Sequence, residues 1–269
     1  MEMDMKEVKK VLTIAGSDSS GGAGIQADLK TMSAHNVFGM SVITAVTAQN
    51  TKGVFGVYDV EPEFVGKQID AVFDDIVPDA VKIGMVSNVE IIKVIAKYLE
   101  KYKPKYIVLD PVMVSTSGCM LLNDDAMDIL VNRLIPMATV ITPNIPEAEV
   151  LSGVKIEDVN DMVTAAEKIF AKTNNTILIK GGHLTTCADD LLYDKDGVKW
   201  FRAKRIDNNN THGTGCTLSS AIACNLAMGE DVYNSIKNAK NYVYNAINAG
   251  LNLGSGDGPL WHNVEAFSK

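Results

Sequence analysis

The sequence contains no apolar run near the roughly 20 residues that a membrane-spanning helix needs, and no basic stripe that would release counterions from nucleic acid. Its 25 basic and 33 acidic side chains leave a net charge of −8. A nucleic-acid partner and a membrane partner are therefore not expected. Four cysteines (Cys119, Cys187, Cys216, Cys224) show no C-x-x-C spacing, which favours reduced thiols over a disulfide framework. Met1–Lys10 carries both signs of charge and no signal-peptide core, so a cytoplasmic location is expected. Four histidines (His35, His183, His212, His262) form no H-E-x-x-H or other zinc spacing. No Gly-Lys-Ser/Thr occurs, which excludes a Walker loop. Repeats, low-complexity tracts and Pro/Ser-rich linkers are also missing, so residues 1–269 read as one domain.

What is present is an alternation of short β-rich runs and longer helical patterns. Val11–Gly16, Ser41–Thr47, Val81–Met85, Tyr106–Asp110, Thr139–Thr142 and Thr176–Lys180 read as strands; several are apolar without alternation, as expected for strands covered on both faces. Helical stretches lie near Ala23–His35, Pro62–Asp74, Asn88–Lys101, Asp124–Leu134 and Val159–Ala171. That order predicts an α/β fold of βαβ units, with a mostly parallel sheet and helices on both faces. Asp196-Gly197 sits between Leu191–Tyr193 and Val198–Phe201 and reads as a hairpin. Beyond the polar run Asn208-Asn209-Asn210, helices are expected from about Gly215 to Met228 and from Val232 to Leu253.

Ligands of open parallel sheets bind beyond the carboxyl ends of the strands, and the unusual residues fall there. Gly16-Ser17-Asp18, Gln49-Asn50, Gly84-Met85, Asp110-Pro111-Val112, Pro143-Asn144 and Gly181-Gly182-His183 follow six successive strands. His212-Gly213-Thr214-Gly215-Cys216-Thr217 opens a helix whose first amides lack intrahelical acceptors, which suits a phosphoryl group; the plainer reading is a glycine-rich helix start. A dinucleotide fingerprint fits poorly, because Leu218 stands where a small residue is needed. Cys216 lies in that first turn, where the helix dipole is expected to lower its pKa and fit it as a base or nucleophile.

The loop Gly16–Gly24 (GSDSSGGAG) lets a small ligand lie against backbone. Asp28, one turn into the next helix, either orients a hydroxyl or is a solvated carboxylate. Asn144-x-x-Glu147 either offers hard oxygen ligands to Mg²⁺ or simply begins a helix. Asp110 and Lys180 each close an apolar strand; they serve a cation and a phosphate, or they pair with each other.

Seven blocks carry a resemblance in order along the chain: AGSDSSGGAGIQADLK (Ala15–Lys30), VTAQNT (Val46–Thr51), VKIGMV (Val81–Val86), LDPVMV (Leu109–Val114), TPNIPEAE (Thr142–Glu149), IKGGH (Ile179–His183) and THGTGCTLSSA (Thr211–Ala221). Together they resemble the hydroxymethylpyrimidine/phosphomethylpyrimidine kinases of thiamine biosynthesis, which are ribokinase-like enzymes. The resemblance implies a three-layer α/β/α domain, a homodimer, ATP and Mg²⁺. It implies a pyrimidine pocket of Gly16, Ala23, Asp28, Gln49, Met85, Val112 and Cys216, with Gln49 on the aminopyrimidine edge and Asp28 on the hydroxymethyl group. It implies an anion hole from the amides of Gly213, Thr214, Gly215 and Cys216, with Cys216 as base. Lys180, Thr214 and Asn144 would then meet the nucleotide, and Asp110 and Glu147 would stand near Mg²⁺. Sugar kinases of the wider superfamily carry Asp where this chain has Cys216, as the pyrimidine branch does. Bacterial pyridoxal kinases share G-T-G-C and leave pyridoxal as an alternative substrate. A non-catalytic sensor that kept the pocket is the rival from another class.

Overall fold

The computed structural model describes residues 7–113, 124–182, 189–203, 206, 208 and 210–264. Cys119, Cys187, His183 and Asn209 lie outside them. Along the chain run β1 (Lys10–Asp18), α1 (Gly24–Ala34), β2 (Phe38–Asn50), β3 (Gly53–Asp59), α2 (Pro62–Asp75), β4 (Ala80–Ile83), α3 (Val89–Tyr102) and β5 (Ile107–Leu109). Next come α4 (Asp124–Ile129), β6 (Val140–Ile141), α5 (Ile145–Ser152), α6 (Val159–Thr173) and β7 (Thr176–Ile179), then β8 (Asp190–Asp194), β9 (Gly197–Phe201), α7 (Thr214–Ala227) and α8 (Val232–Asn248). The strands form one sheet in the order β3-β2-β1-β4-β5-β6-β7-β8-β9. Neighbours from β2 through β7 pair in parallel, and β3, β8 and β9 add antiparallel edges.

Side-chain parity explains the layers, because successive residues of a strand point to opposite faces. Leu12, Ile14, Val81, Ile83, Ile107, Leu109, Ile141, Ile177 and Ile179 enter one core with residues of α2, α3, α5 and α6. The alternate residues Val11, Ala80, Val108, Val140 and Leu178 enter a second core with α7 and α8. Both cores are built from the same short strands, which is why most of those strands read as apolar runs without alternation.

On the second face the parity continues into polar residues near the carboxyl ends: Thr13 in β1, Lys82 in β4, Asp110 after β5, Thr142 after β6 and Lys180 after β7. Thr13, Lys82, Asp110 and Thr142 are buried. A polar row is thereby laid on the face that α7 covers, at the sheet edge where ligands bind.

Three local expectations change. The second strand is longer than Ser41–Thr47 and turns through Thr51-Lys52 into β3, an antiparallel edge strand that the pattern did not predict. Its GVFGVYD sequence has two glycines and leaves Phe55 and Tyr58 largely exposed, so it lacks the buried face that marks a strand. The helix expected over Asp124–Leu134 changes at Leu130 into a π turn and then a 3₁₀ turn, Ile135–Met137, where Pro136 cannot donate to the helical ladder. The last helix stops at Asn248 rather than Leu253, just before Gly250 turns left-handed with φ 70°.

Candidate active site

Asp18 organises the loop that follows β1. Its Oδ1 accepts hydrogen bonds from the Ser20 amide and hydroxyl, both at 2.8 Å. Its Oδ2 accepts from the Gly22 amide at 3.0 Å and the Ala23 amide at 2.8 Å. The same Oδ2 lies 2.9 Å from Nε2 of His212, just before α7. Burial alone would raise the Asp18 carboxyl; the bonds from His212, Ser20 and Ala23 outweigh it and keep it well below the ordinary range.

The two loops also touch through glycine. Gly213 has φ 84°, in the left-handed region, and a Cβ there would fall inside the Gly22 carbonyl oxygen. A Cβ at Gly22 would in turn overlap the His212 ring. Only glycine on both sides allows this approach.

Thr214 begins α7 with both its amide and its hydroxyl donating to the Thr211 carbonyl, at 3.2 and 2.7 Å. The expected four-amide anion hole is thus narrower, since the Thr214 amide is committed to a turn; Gly215 and Cys216 follow as first-turn amides with no intrahelical acceptor. A Cβ built on Gly215 would stand 3.3 Å from Asp110 Oδ2 and 3.4 Å from Lys180 Nζ, so both charged groups flank this helix start. Lys180 Nζ lies 2.7 Å from Asp110 Oδ1 and 4.0 Å from Glu147 Oε2. Thr142 donates to the same Asp110 oxygen at 3.0 Å. Burial alone would lower the Lys180 ammonium, but Asp110 and Glu147 more than offset it and raise it.

Asn144 and Glu147 form a capping box at the start of α5: Asn144 Oδ1 accepts from the Glu147 amide at 2.9 Å, and Glu147 Oε2 accepts from the Asn144 amide at 2.8 Å. The helix-start reading of that motif is thus present in full. Glu147 is also buried, and burial, against the opposing Lys180 charge and with the added repulsion of Asp110, pushes its carboxyl up to about 7.

Three further expected residues, Gln49, Met85 and Val112, make contacts of their own. Gln49 Oε1 accepts from Thr47 Oγ1 at 3.1 Å, and its Nε2 lies 3.4 Å from His212 Nε2. The Met85 sulfur packs against Gly16, where a Cβ would meet it at 3.2 Å. Val112, half-buried, donates its amide to the Asp110 carbonyl at 2.8 Å. An open cavity of about 370 Å³ adjoins His212, lined also by Ser20, Lys52, Gly254 and Pro259.

Two expectations are corrected. Asp28 neither lines the crevice nor is solvated: none of its surface is exposed. Its oxygens take Thr13 Oγ1 at 2.6 Å, Ser220 Oγ at 2.7 Å and Lys82 Nζ at 2.9 Å. Cys216 is partly exposed, yet its thiol is not lowered. Burial pushes it up to about 11, opposed by the Lys82 charge and by a hydrogen bond from the Gly24 amide. Among the described residues, no three His, Cys, Asp or Glu side chains gather into a closed metal site.

The phosphomethylpyrimidine kinase family model matches residues 18–261. The chain belongs to that family. It is 50% identical over 252 residues to the hydroxymethylpyrimidine/phosphomethylpyrimidine kinase of Streptomyces coelicolor, covering 94% of this chain and 93% of that one. Another relative is the thiamine biosynthesis bifunctional protein ThiED of Geobacter sulfurreducens, 48% identical over 95% of this chain and 52% of its own length. Among solved structures, phosphomethylpyrimidine kinase from Clostridium difficile is 53% identical with a TM-score of 0.80, over 89% of this chain and 99% of that one. An ADP complex of Bacillus subtilis pyridoxal kinase is 39% identical with a TM-score of 0.91, over 97% and 100%. The three-layer ribokinase-like fold is common ground for both.

Within this phosphomethylpyrimidine kinase scaffold, sequence reasoning passed over Asp18 as an organiser, His212 as the link between loops, and Lys82. Lys82 did carry a signal: it is the one charged residue in the strand Ala-Val-Lys-Ile, on the same face as Thr13, with which it pairs in register.

Proposed function

We propose that this chain transfers the γ-phosphoryl group of ATP to the hydroxymethyl group of 4-amino-5-hydroxymethyl-2-methylpyrimidine, and then transfers a second to the monophosphate formed. The observation that carries the reading is the meeting of Gly215 with Asp110 and Lys180 at the start of α7, beside Cys216. Charge on a transferring phosphoryl group spreads over its oxygens and needs positioned donors more than covalent help. The Gly215 and Cys216 amides, with Gly213, supply dipoles. Lys180 supplies a fixed cation, kept charged by Asp110.

Cys216 faces the Gly24 amide and takes the proton of the hydroxyl as the oxygen attacks in line. Since burial keeps it a thiol at rest, it serves as base only after giving its own proton to water, and the thiolate so formed accepts the hydroxyl proton while the bond from the γ-phosphorus to the ADP oxygen breaks. Gln49, Met85, Gly16, Ala23 and Val112 bound the ring, with Gln49 offering an amide edge. Thr214 and Asn144 stand on the nucleotide side. The hard oxygens of Asp110 and Glu147 exceed the single Lys180 charge between them, and this donor set fits Mg²⁺, which takes few carboxylates and keeps its waters. When bound, Mg²⁺ neutralises charge on phosphate oxygens.

The chain is expected to work in the cytoplasm as a homodimer. The β2–β3 edge ribbon, with Val46, Phe55, Val57 and Tyr58 exposed, would bury its apolar side chains against a second copy; light scattering of the purified protein reads the oligomeric state. Pyridoxal is the second reading, favoured by the TM-score of 0.91 to the Bacillus subtilis pyridoxal kinase. A panel of the pyrimidine alcohol, its monophosphate and pyridoxal, scored by ADP and phosphorylated product, separates them. Faster product formation with the pyrimidines is expected. The reverse ranking transfers the assignment to pyridoxal, and tight binding with no ATP consumption indicates a sensor.

A further inference from the structure

We infer that Asp190 is a positioning residue for Lys180: its carboxylate, held in place by Lys240, fixes the peptide from which the Lys180 side chain departs toward the start of α7. Amides along a strand point alternately to its two neighbours. The Lys180 amide donates to the Pro143 carbonyl on the β6 side at 2.9 Å, so the Gly181 amide turns to the β8 side. There it donates to Asp190 Oδ1 at 2.9 Å. The backbone runs close against β8 at this point, since a Cβ on Gly181 would fall inside the Asp189 carbonyl oxygen. The paired residues of β7 and β8 end at Ile179 and Leu191, one step before Lys180 and Asp190. A side-chain oxygen thus takes the first β8-facing amide beyond the ladder, where a backbone carbonyl would serve in a continuing strand.

Asp190 is held in turn. Lys240, from α8, places its Nζ 2.6 Å from Asp190 Oδ2, and the two side chains are only 13% and 10% exposed. The residue before it, Asp189, accepts from the Ala203 amide at 3.1 Å, which ties the start of β8 to the chain leaving β9. A buried ion pair is a weak source of stability, and an apolar pair of similar volume would fill the space as well. The two oxygens give the pair another use. Oδ2 takes Lys240, Oδ1 is left for Gly181, and a charged acceptor holds an amide more firmly than a neutral one. The consequence falls on Lys180, whose main chain is anchored before and after its Cα by Pro143 and by Asp190. A lysine ammonium rides on a flexible four-carbon stem, so a fixed root limits where it can go. From that root Nζ reaches Asp110 Oδ1 at 2.7 Å, and a Cβ on Gly215 of α7 would stand 3.4 Å from it.

The inference rests on Lys180 serving the transferring phosphoryl group, so its test leaves Lys180 untouched. Two double variants of the full-length protein are compared, Asp190→Asn/Lys240→Met and Asp190→Leu/Lys240→Met. Both remove the ion pair and leave neither partner as a lone buried charge; the first keeps an oxygen for the Gly181 amide and the second offers none. Thermal melts establish that each is folded, and initial rates with ATP and the pyrimidine alcohol give kcat and both KM values. The Asn variant is expected to keep kcat close to that of the original protein. The Leu variant is expected to lose about ten- to a hundredfold in kcat, the scale of a small misplacement at the reacting groups, with the KM for the pyrimidine unchanged. A merely structural pair would separate the two variants in melting temperature and not in kcat, so equal kcat values overturn the inference. If the Leu variant does not fold, Asp190→Glu carries the test, since it keeps the charge for Lys240 and shifts the oxygens by one methylene. A kcat about tenfold lower, the upper scale of one modest hydrogen bond, with the KM for the pyrimidine unchanged supports the assignment, and an unchanged kcat overturns it. Normal turnover in Lys180→Met would instead refute the role of Lys180 on which the inference depends.

Discussion

Nε2 of His212 lies 2.9 Å from Oδ2 of Asp18 across 194 residues of sequence. The same oxygen fixes the amides of Gly22 and Ala23, so one carboxylate ties the loop beneath the ring site to the loop that opens α7. Asp18→Asn is expected to cost about 1.5–3 kcal/mol at pH 7, the scale of hydrogen bonds to a charged acceptor. Because the folded carboxyl is depressed below the ordinary 3.8, its stabilisation is fully present above that value and is lost as pH falls toward the folded one. Denaturant melts at pH 7 and pH 3 should show the gap between variant and original narrowing at pH 3. An equal gap at both would mean that the charge of Asp18 is not what matters.

Cys216→Ala is expected to lower kcat by about 10²–10⁴-fold, the contribution of a positioned base. The KM for ATP should change little, since the Gly215 amide and Lys180 remain. Steady-state kinetics checks both values.

Lys180 is the cation against Asp110, which is only 2% exposed, and 4.0 Å from Glu147. Lys180→Met strands two buried carboxylates and is expected to cost about 3–5 kcal/mol, as for breaking a buried pair. Adding Asp110→Asn should restore much of the melting temperature while leaving kcat low. Recovery of both together would make Lys180 a structural residue alone.

Burial, with the Lys30 charge, lowers His262 to about 4, and its Nε2 lies 3.1 Å from Thr217 Oγ1. The unfolded chain then takes up a proton near the ordinary 6.5 that the folded one refuses until about 4. Stability should therefore fall as pH drops through that window, by at most about 1.4 kcal/mol per unit. His262→Gln should flatten the slope of melting free energy between pH 6.5 and 4; an unchanged slope would place its origin elsewhere.

The strands β1, β4, β5, β6 and β7 are legible because burial on both faces leaves mostly apolar runs without alternation. The crevice residues are legible because glycine, proline and charge interrupt those runs at their carboxyl ends. β3 was not legible, since an edge ribbon with exposed Phe55 and Tyr58 has no buried face to imprint a period. Asp28 was misplaced for a different reason: helical spacing says which face a carboxylate occupies but not that Lys82, 54 residues away, fills that face with a countercharge. The thiol of Cys216 was misjudged likewise, because helix position is local whereas burial is a property of the whole packing.

Gly22 and Gly213 meet only when the first and the last thirds of the chain are both in place. A polypeptide that has not yet added α7 owns one half of the cradle and has nothing to close it. Phosphoryl transfer regained during refolding therefore marks the completion of assembly rather than its onset, and a fragment ending before His212 is expected to build much of the sheet while remaining inert.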